Sequence, residues 1–146
     1  MGKKKRVTWK QHFHNMSISD HAAHDIAIGF ALGTFLAILP TFGLGLVVGV
    51  LVMLVYDKMS KAAMLVSFAV WNPLVLYPMF FLSFQLGNLI IGTGPMIEFN
   101  LSMMDHIYNY SLRFMIGNLI ISSTVSIGSF FLIKNAVNKY RKKIKE

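Results

Sequence analysis

The chain carries few groups able to do acid, base or metal chemistry, and they are confined to its ends and its polar connections. Asp20, His21, His24 and Asp25 form a cluster ahead of the first apolar run, and imidazole with carboxylate is a donor set that suits zinc. No further ligands accompany them, so they are expected to form a polar interfacial segment without a metal, as is the Asp105–His106 pair. There is no cysteine, which removes thiol catalysis and thiolate metal sites. No nucleophile beside a base, no phosphate-binding loop and no paired carboxylates are visible. The chain is therefore expected not to be an enzyme and to need no cofactor.

What remains is polar chemistry within apolar sequence. Two short stretches stand out. Pro40-Thr41-Phe42-Gly43, followed by Gly45, interrupts one apolar run, and Asn72-Pro73 interrupts the next. Proline removes a backbone donor and clashes with the preceding turn, while asparagine followed by proline reads as an N-cap and the first helical position. A helix that starts inside a membrane exposes free N–H groups and the positive end of its dipole, which holds an anion without a buried full charge. Thr41, Gly43, Gly45, Asn72 and Pro73 are thus candidate ligand-binding residues for an anionic lipid or a small anion. The competing reading is that both breaks only shape a helix bundle, since non-helical backbone at membrane depth is often simply buried in protein.

The elements that would position these residues follow from charge and length. Residues 26–56, 62–97 and 114–133 contain no Asp, Glu, Lys or Arg. A run of about 20 apolar residues is enough to cross the hydrocarbon core as a helix. All three reach that length, and the hydrophobic share of the chain is 55%. The expected fold is an all-α, polytopic membrane protein with two proline-broken helical segments and one clean C-terminal transmembrane helix. The first run has 31 residues, which as one helix would be about 46 Å against roughly 30 Å of hydrocarbon. It is read as two short helices, 26–39 and 44–56, forming either a re-entrant hairpin or two steep crossings. The second run breaks at Asn72-Pro73 and continues as a helix over 74–91, with Pro78 in its second turn.

Small and polar residues mark packing faces. Gly29 and Gly33 are four apart in the first half of the broken run, and Gly45 and Gly49 in the second; this spacing lets helix backbones approach closely. Asn118, Ser122, Ser126 and Ser129 share one face of the last helix, which should point at other helices. A faint internal echo aligns Pro40 with Pro73, Thr34 with Ser67 and Phe35 with Phe68. Residues 98–113 read as a polar loop with an amphipathic stub.

The net charge of +8 is concentrated at the ends. Residues 1–25 form a polar, basic leader, 26–133 a helical membrane domain, and 134–146 a basic tail. Basic flanks beside apolar runs are topology signals, so both termini are expected in the cytoplasm, in a multi-pass protein of the cell membrane. The tail would also attract anionic lipid heads. Nucleic acid is excluded as a partner. Membrane lipids, a second copy of the chain or another membrane protein are the expected ones.

Ile28-Gly29-Phe30-Ala31-Leu32-Gly33-Thr34-Phe35, the Pro40-x-x-Gly43 break, and Asn72-Pro73-Leu74 with Pro78 and Gly87 together resemble a prokaryotic membrane family catalogued as domain of unknown function 2062. The resemblance covers residues 25–92. Two departures are Val75, where the family tends to have threonine, and Tyr56-Asp57, near a common asparagine; if those polar groups serve a ligand, this chain has altered its site. The resemblance implies a membrane fold and no defined activity. The function read from the sequence is therefore binding or translocation of an anionic lipid or small anion at the two breaks. The alternative is a structural membrane protein that scaffolds a partner without transporting.

Overall fold

The computed structural model describes residues 22–41, 43–92 and 103–145. These form five helices with no strand among the described residues: α1 (Ala23–Ile38), α2 (Leu44–Val55), α3 (Lys61–Val70), α4 (Pro73–Ile91) and α5 (Met103–Lys145).

Both breaks have one local cause. Proline disfavours the helical region for the residue before it. Leu39, before Pro40, has ψ 137°, and Asn72, before Pro73, has ψ 165°. The two breaks then diverge. After Pro40 the chain makes a tight turn, with the Thr41 N–H donating to the Leu39 carbonyl and the Leu44 N–H to the Thr41 carbonyl. Gly43 closes it at φ +92°, a left-handed backbone that glycine adopts without a Cβ penalty. Helix α2 therefore runs back along α1, bringing Gly45 to Leu36 and Met53 into a cluster with Ile28 and Leu32. After Pro73 the helix restarts at once. Asn72 Oδ1 accepts the Val75 N–H, and Pro73 occupies the first turn, where a missing donor costs nothing.

The connection between α2 and α3 folds beneath α1. The Ser60 N–H donates to the Asp25 carbonyl, while the Ser60 hydroxyl caps α3 by accepting the Ala63 N–H. Helix α3 then runs parallel to α1. Gly29 faces Ser60, and Gly33 faces Met64 and Ser67. Further along, the Trp71 indole N–H donates to the Thr34 hydroxyl at 2.9 Å. The residues matched by the faint internal echo thus lie on two helices that pack side by side in the same direction. Their breaks are not equivalent, because one reverses the chain and the other carries it onward.

Helix α5 runs antiparallel to both α1 and α4 and joins them. Against α1, Asn118 reaches the Ile38 carbonyl, Ser126 the Ala31 carbonyl, and Val137 packs with Ala23, Ile26 and Ala63. Against α4, Phe80 meets Phe114 edge-on and Phe84 stacks on Tyr110.

Two differences from the sequence reading concern α5. Residues 103–113, read as part of a polar loop, are helical. The segment contains no proline or glycine, and its polar residues sit on an exposed helix surface or, like Arg113, against α4. The helix also passes residue 133 without interruption, so most of the basic tail is a helical extension. Its 43 residues make a rod about 65 Å long.

Helix α4 and residues Met103–Lys143 of α5 are long and apolar enough to cross a membrane. In each, only 17% of the most apolar stretch is buried, whereas the core helix of a soluble domain is mostly buried. Helix α2 is bare in the same way. Gly45, Gly49 and Met53 face inward, and Leu46, Val47, Val50, Leu51, Leu54 and Val55 are exposed.

Candidate functional site: a groove between the two breaks

The two breaks, far apart in sequence, open onto one groove of about 610 Å3, within the range of small-molecule sites. The end of α1 and its turn contribute Leu36, Ala37, Leu39, Pro40 and Thr41, and the start of α2 contributes Gly43, Gly45 and Leu46. Phe68 comes from α3, Trp71 from just past its end, Pro73, Leu76 and Phe80 from α4, and Phe114 from α5. Sequence reasoning named Thr41, Gly43, Gly45 and Pro73 among these. It did not name the aromatic wall, whose members are indistinguishable in sequence from lipid-facing or core phenylalanines.

Asn72 lies between two lining residues, Trp71 and Pro73, but its side chain is exposed and turned back onto its own helix at Val75. The N–H groups of Val75 and Leu76 both bond to the Asn72 carbonyl. Of the donors that an isolated helix start would expose, α4 lacks one because Pro73 has no N–H and has one capped, the Val75 N–H, by Asn72. The start of α2 has no side-chain cap, although its Leu44 N–H is taken by Thr41. The groove itself is largely carbon. Among the described residues no Asp, Glu, Lys, Arg or His lines it. Its polar side-chain atoms are the Thr41 hydroxyl and the Trp71 N–H, and the latter is already bonded to Thr34.

Behind the groove lies a polar seam. Asn118 is fully buried and donates to the Ile38 carbonyl at 3.1 Å and to the Ser83 hydroxyl at 3.3 Å. It thereby ties the frayed end of α1 to α4 and α5. Its Oδ1 has no partner among the described residues, nor has the Ser67 hydroxyl. Ser122, also fully buried, bonds its own helix at Leu119. Arg113 donates to Asn88 Oδ1 at 3.3 Å across the α4–α5 contact.

The four glycines read from the sequence as packing residues are all buried, and their neighbours are now defined. Gly29 and Gly33 face α3; Gly45 faces Leu36 of α1 and the Thr41 side chain; Gly49 faces Phe68 and Met64. The closest crossing was not anticipated. At α4–α5, a Cβ on Gly87 would run into the Arg113 carbonyl, and one on Gly117 into that of Ser83. The Gly87-to-Ser83 and Gly117-to-Arg113 spacings of four residues were a usable signal for this pair.

Of the metal-ligand cluster considered from sequence, Asp20 and His21 lie outside the described residues. His24 packs edge-on against Phe130, and no group of three or more potential metal ligands occurs among the described residues.

The fold and the groove define an all-helical chain with two helices suited to crossing a membrane and two proline breaks around a shared apolar groove. The family model for uncharacterized proteins conserved in bacteria, domain of unknown function 2062, matches residues 6–146, and the chain belongs to that family. The match extends well beyond the resemblance seen over residues 25–92, into the basic leader and through the whole of α5. No curated protein and no solved structure matches the chain.

Proposed function

We propose that the protein is a multi-pass protein of the cell membrane that binds, or moves, a lipid or small anion in the groove between its two breaks. In this reading α3 and α4 make one broken crossing and α5 makes the second. Helices α1 and α2 form a re-entrant hairpin, and both termini are cytoplasmic. The direction of the helices supports that arrangement. The start of α1, the α2–α3 turn and the C-terminal third of α5 lie together at one end. That end carries Lys58, Lys61, Lys134, Lys139, Lys142 and Lys143, as expected of a cytoplasmic face. Arg113 belongs to the other end.

The observation that carries the binding reading is that Pro40 and Pro73 line the same groove. Two unrelated breaks would have no reason to share a cavity, and broken helices around a common site are how membrane transporters build binding sites. Native mass spectrometry of gently extracted protein tests the reading. Lipid or anion retained at fixed stoichiometry is the expected result, and a folded protein that carries neither would overturn it. One observation favours the scaffold alternative, namely that no charged side chain lines the groove. Lipid-free protein that co-purifies with a membrane partner would establish that alternative.

A further inference from the structure

We infer that the groove takes the hydrocarbon chain of a lipid, with the head group lying outside it. The inference rests on the ligand-binding reading above and chooses between the two ligand chemistries that reading allows. An anion inside the groove would meet one free hydroxyl, Thr41, and no positive side chain. Desolvating a charge against carbon with few partners is strongly unfavourable, and at the start of α4 Asn72 caps the Val75 N–H while Pro73 has no N–H to offer. A methylene chain needs none of these partners. It needs apolar walls and free length.

The groove supplies both. Phe68, Trp71, Phe80 and Phe114 line it with aromatic carbon, and the small residues Ala37, Gly43 and Gly45 add little bulk to the lining. The groove's volume of about 610 Å3 leaves room for a run of methylenes. The neighbouring surface is exposed and apolar on both flanks, with Leu44 and Leu46 on α2 and Leu74 and Tyr77 on α4. In the membrane reading these side chains face the acyl phase, and the groove opens onto the same phase without a polar threshold. The occupant that matches this lining and this surrounding medium is therefore an acyl chain.

The test uses the full-length protein in phosphatidylcholine nanodiscs and, separately, in phosphatidylglycerol nanodiscs. Each contains a trace of the same lipid bearing a diazirine near the end of one acyl chain, and cross-linked peptides are mapped by mass spectrometry. The expected result is preferential labelling around Leu36, Leu46, Leu76 and Phe80, with the same yield for both head groups and no change on adding excess inorganic phosphate. Leu76→Trp, which fills the groove, should lower that labelling several-fold, while Leu89→Trp on the exposed outer face of α4 should leave it intact. If Leu76→Trp does not fold, Leu46→Phe fills the groove from the α2 side. Labelling spread evenly over all exposed apolar faces would overturn the inference. Labelling seen only with phosphatidylglycerol and displaced by phosphate would sink the chain inference yet keep the ligand-binding reading. Absence of both groove labelling and any phosphate effect would remove both.

Discussion

Asn118 joins three helices through one amide, and its loss should be felt accordingly. Replacing it with leucine removes the donor to the Ile38 carbonyl and to Ser83 and leaves the end of α1 unsatisfied. A stranded buried polar group costs about 1–3 kcal/mol. Asn118→Leu should therefore lower the thermal midpoint in detergent clearly, and a midpoint equal to wild type would show that the seam contributes nothing. The glycines of α5 make a sharper pair. Gly117 sits against the Ser83 carbonyl, whereas Gly128 has nothing within 4 Å of where a Cβ would stand. Alanine is favoured over glycine in a helix interior by about 1 kcal/mol. Gly128→Ala should thus raise the midpoint and Gly117→Ala should lower it, the same substitution acting with opposite sign in one helix. Thermal scans of the two variants side by side decide the matter.

Among the elements, the two breaks were the most legible in sequence, because the effect of proline on its preceding residue is local and needs no partner. Asn72 capping α4 belongs to the same kind of inference. Asn72→Ala should cost about 1 kcal/mol of stability, and Asn72→Asp, which keeps an accepting oxygen, should cost little; chemical denaturation of both against wild type checks this. The course of the chain after each break was less legible. Gly43 foretold a tight reversal, yet nothing local in Asn72-Pro73 says that α4 continues onward from α3. The glycine stripes announced close approach but not to what, since a small residue specifies a gap and its neighbour is set by tertiary packing. Gly29 and Gly33 thus turned out to serve α3. The start of α5 reads in sequence as a polar loop with an amphipathic stub, and it is a helix continuous with the apolar span, since polarity alone does not stop a helix when no glycine or proline intervenes. The candidate groove was half legible. Its glycine and proline rim shows in the sequence, while its aromatic wall is assembled from three separate helices.

At the scale of the whole molecule, the proposed topology makes a direct prediction. Eleven of the 14 Lys and Arg residues lie in the basic leader and tail, so reporter fusions after residues 6 and 143 should both report a cytoplasmic location. An external C-terminus would rule out the two-crossing arrangement with its re-entrant hairpin. Helix α5 gives that arrangement a mechanical character. It is one unbroken rod of 43 residues, about twice the thickness of the hydrocarbon core. Phe114 stands on it at the groove, and the lysine-rich end stands some 20 residues further on. A stiff rod tilts as a unit, so any swing of α5 that widens or narrows the space beside Phe114 also moves that charged end, the way a lever carries its handle.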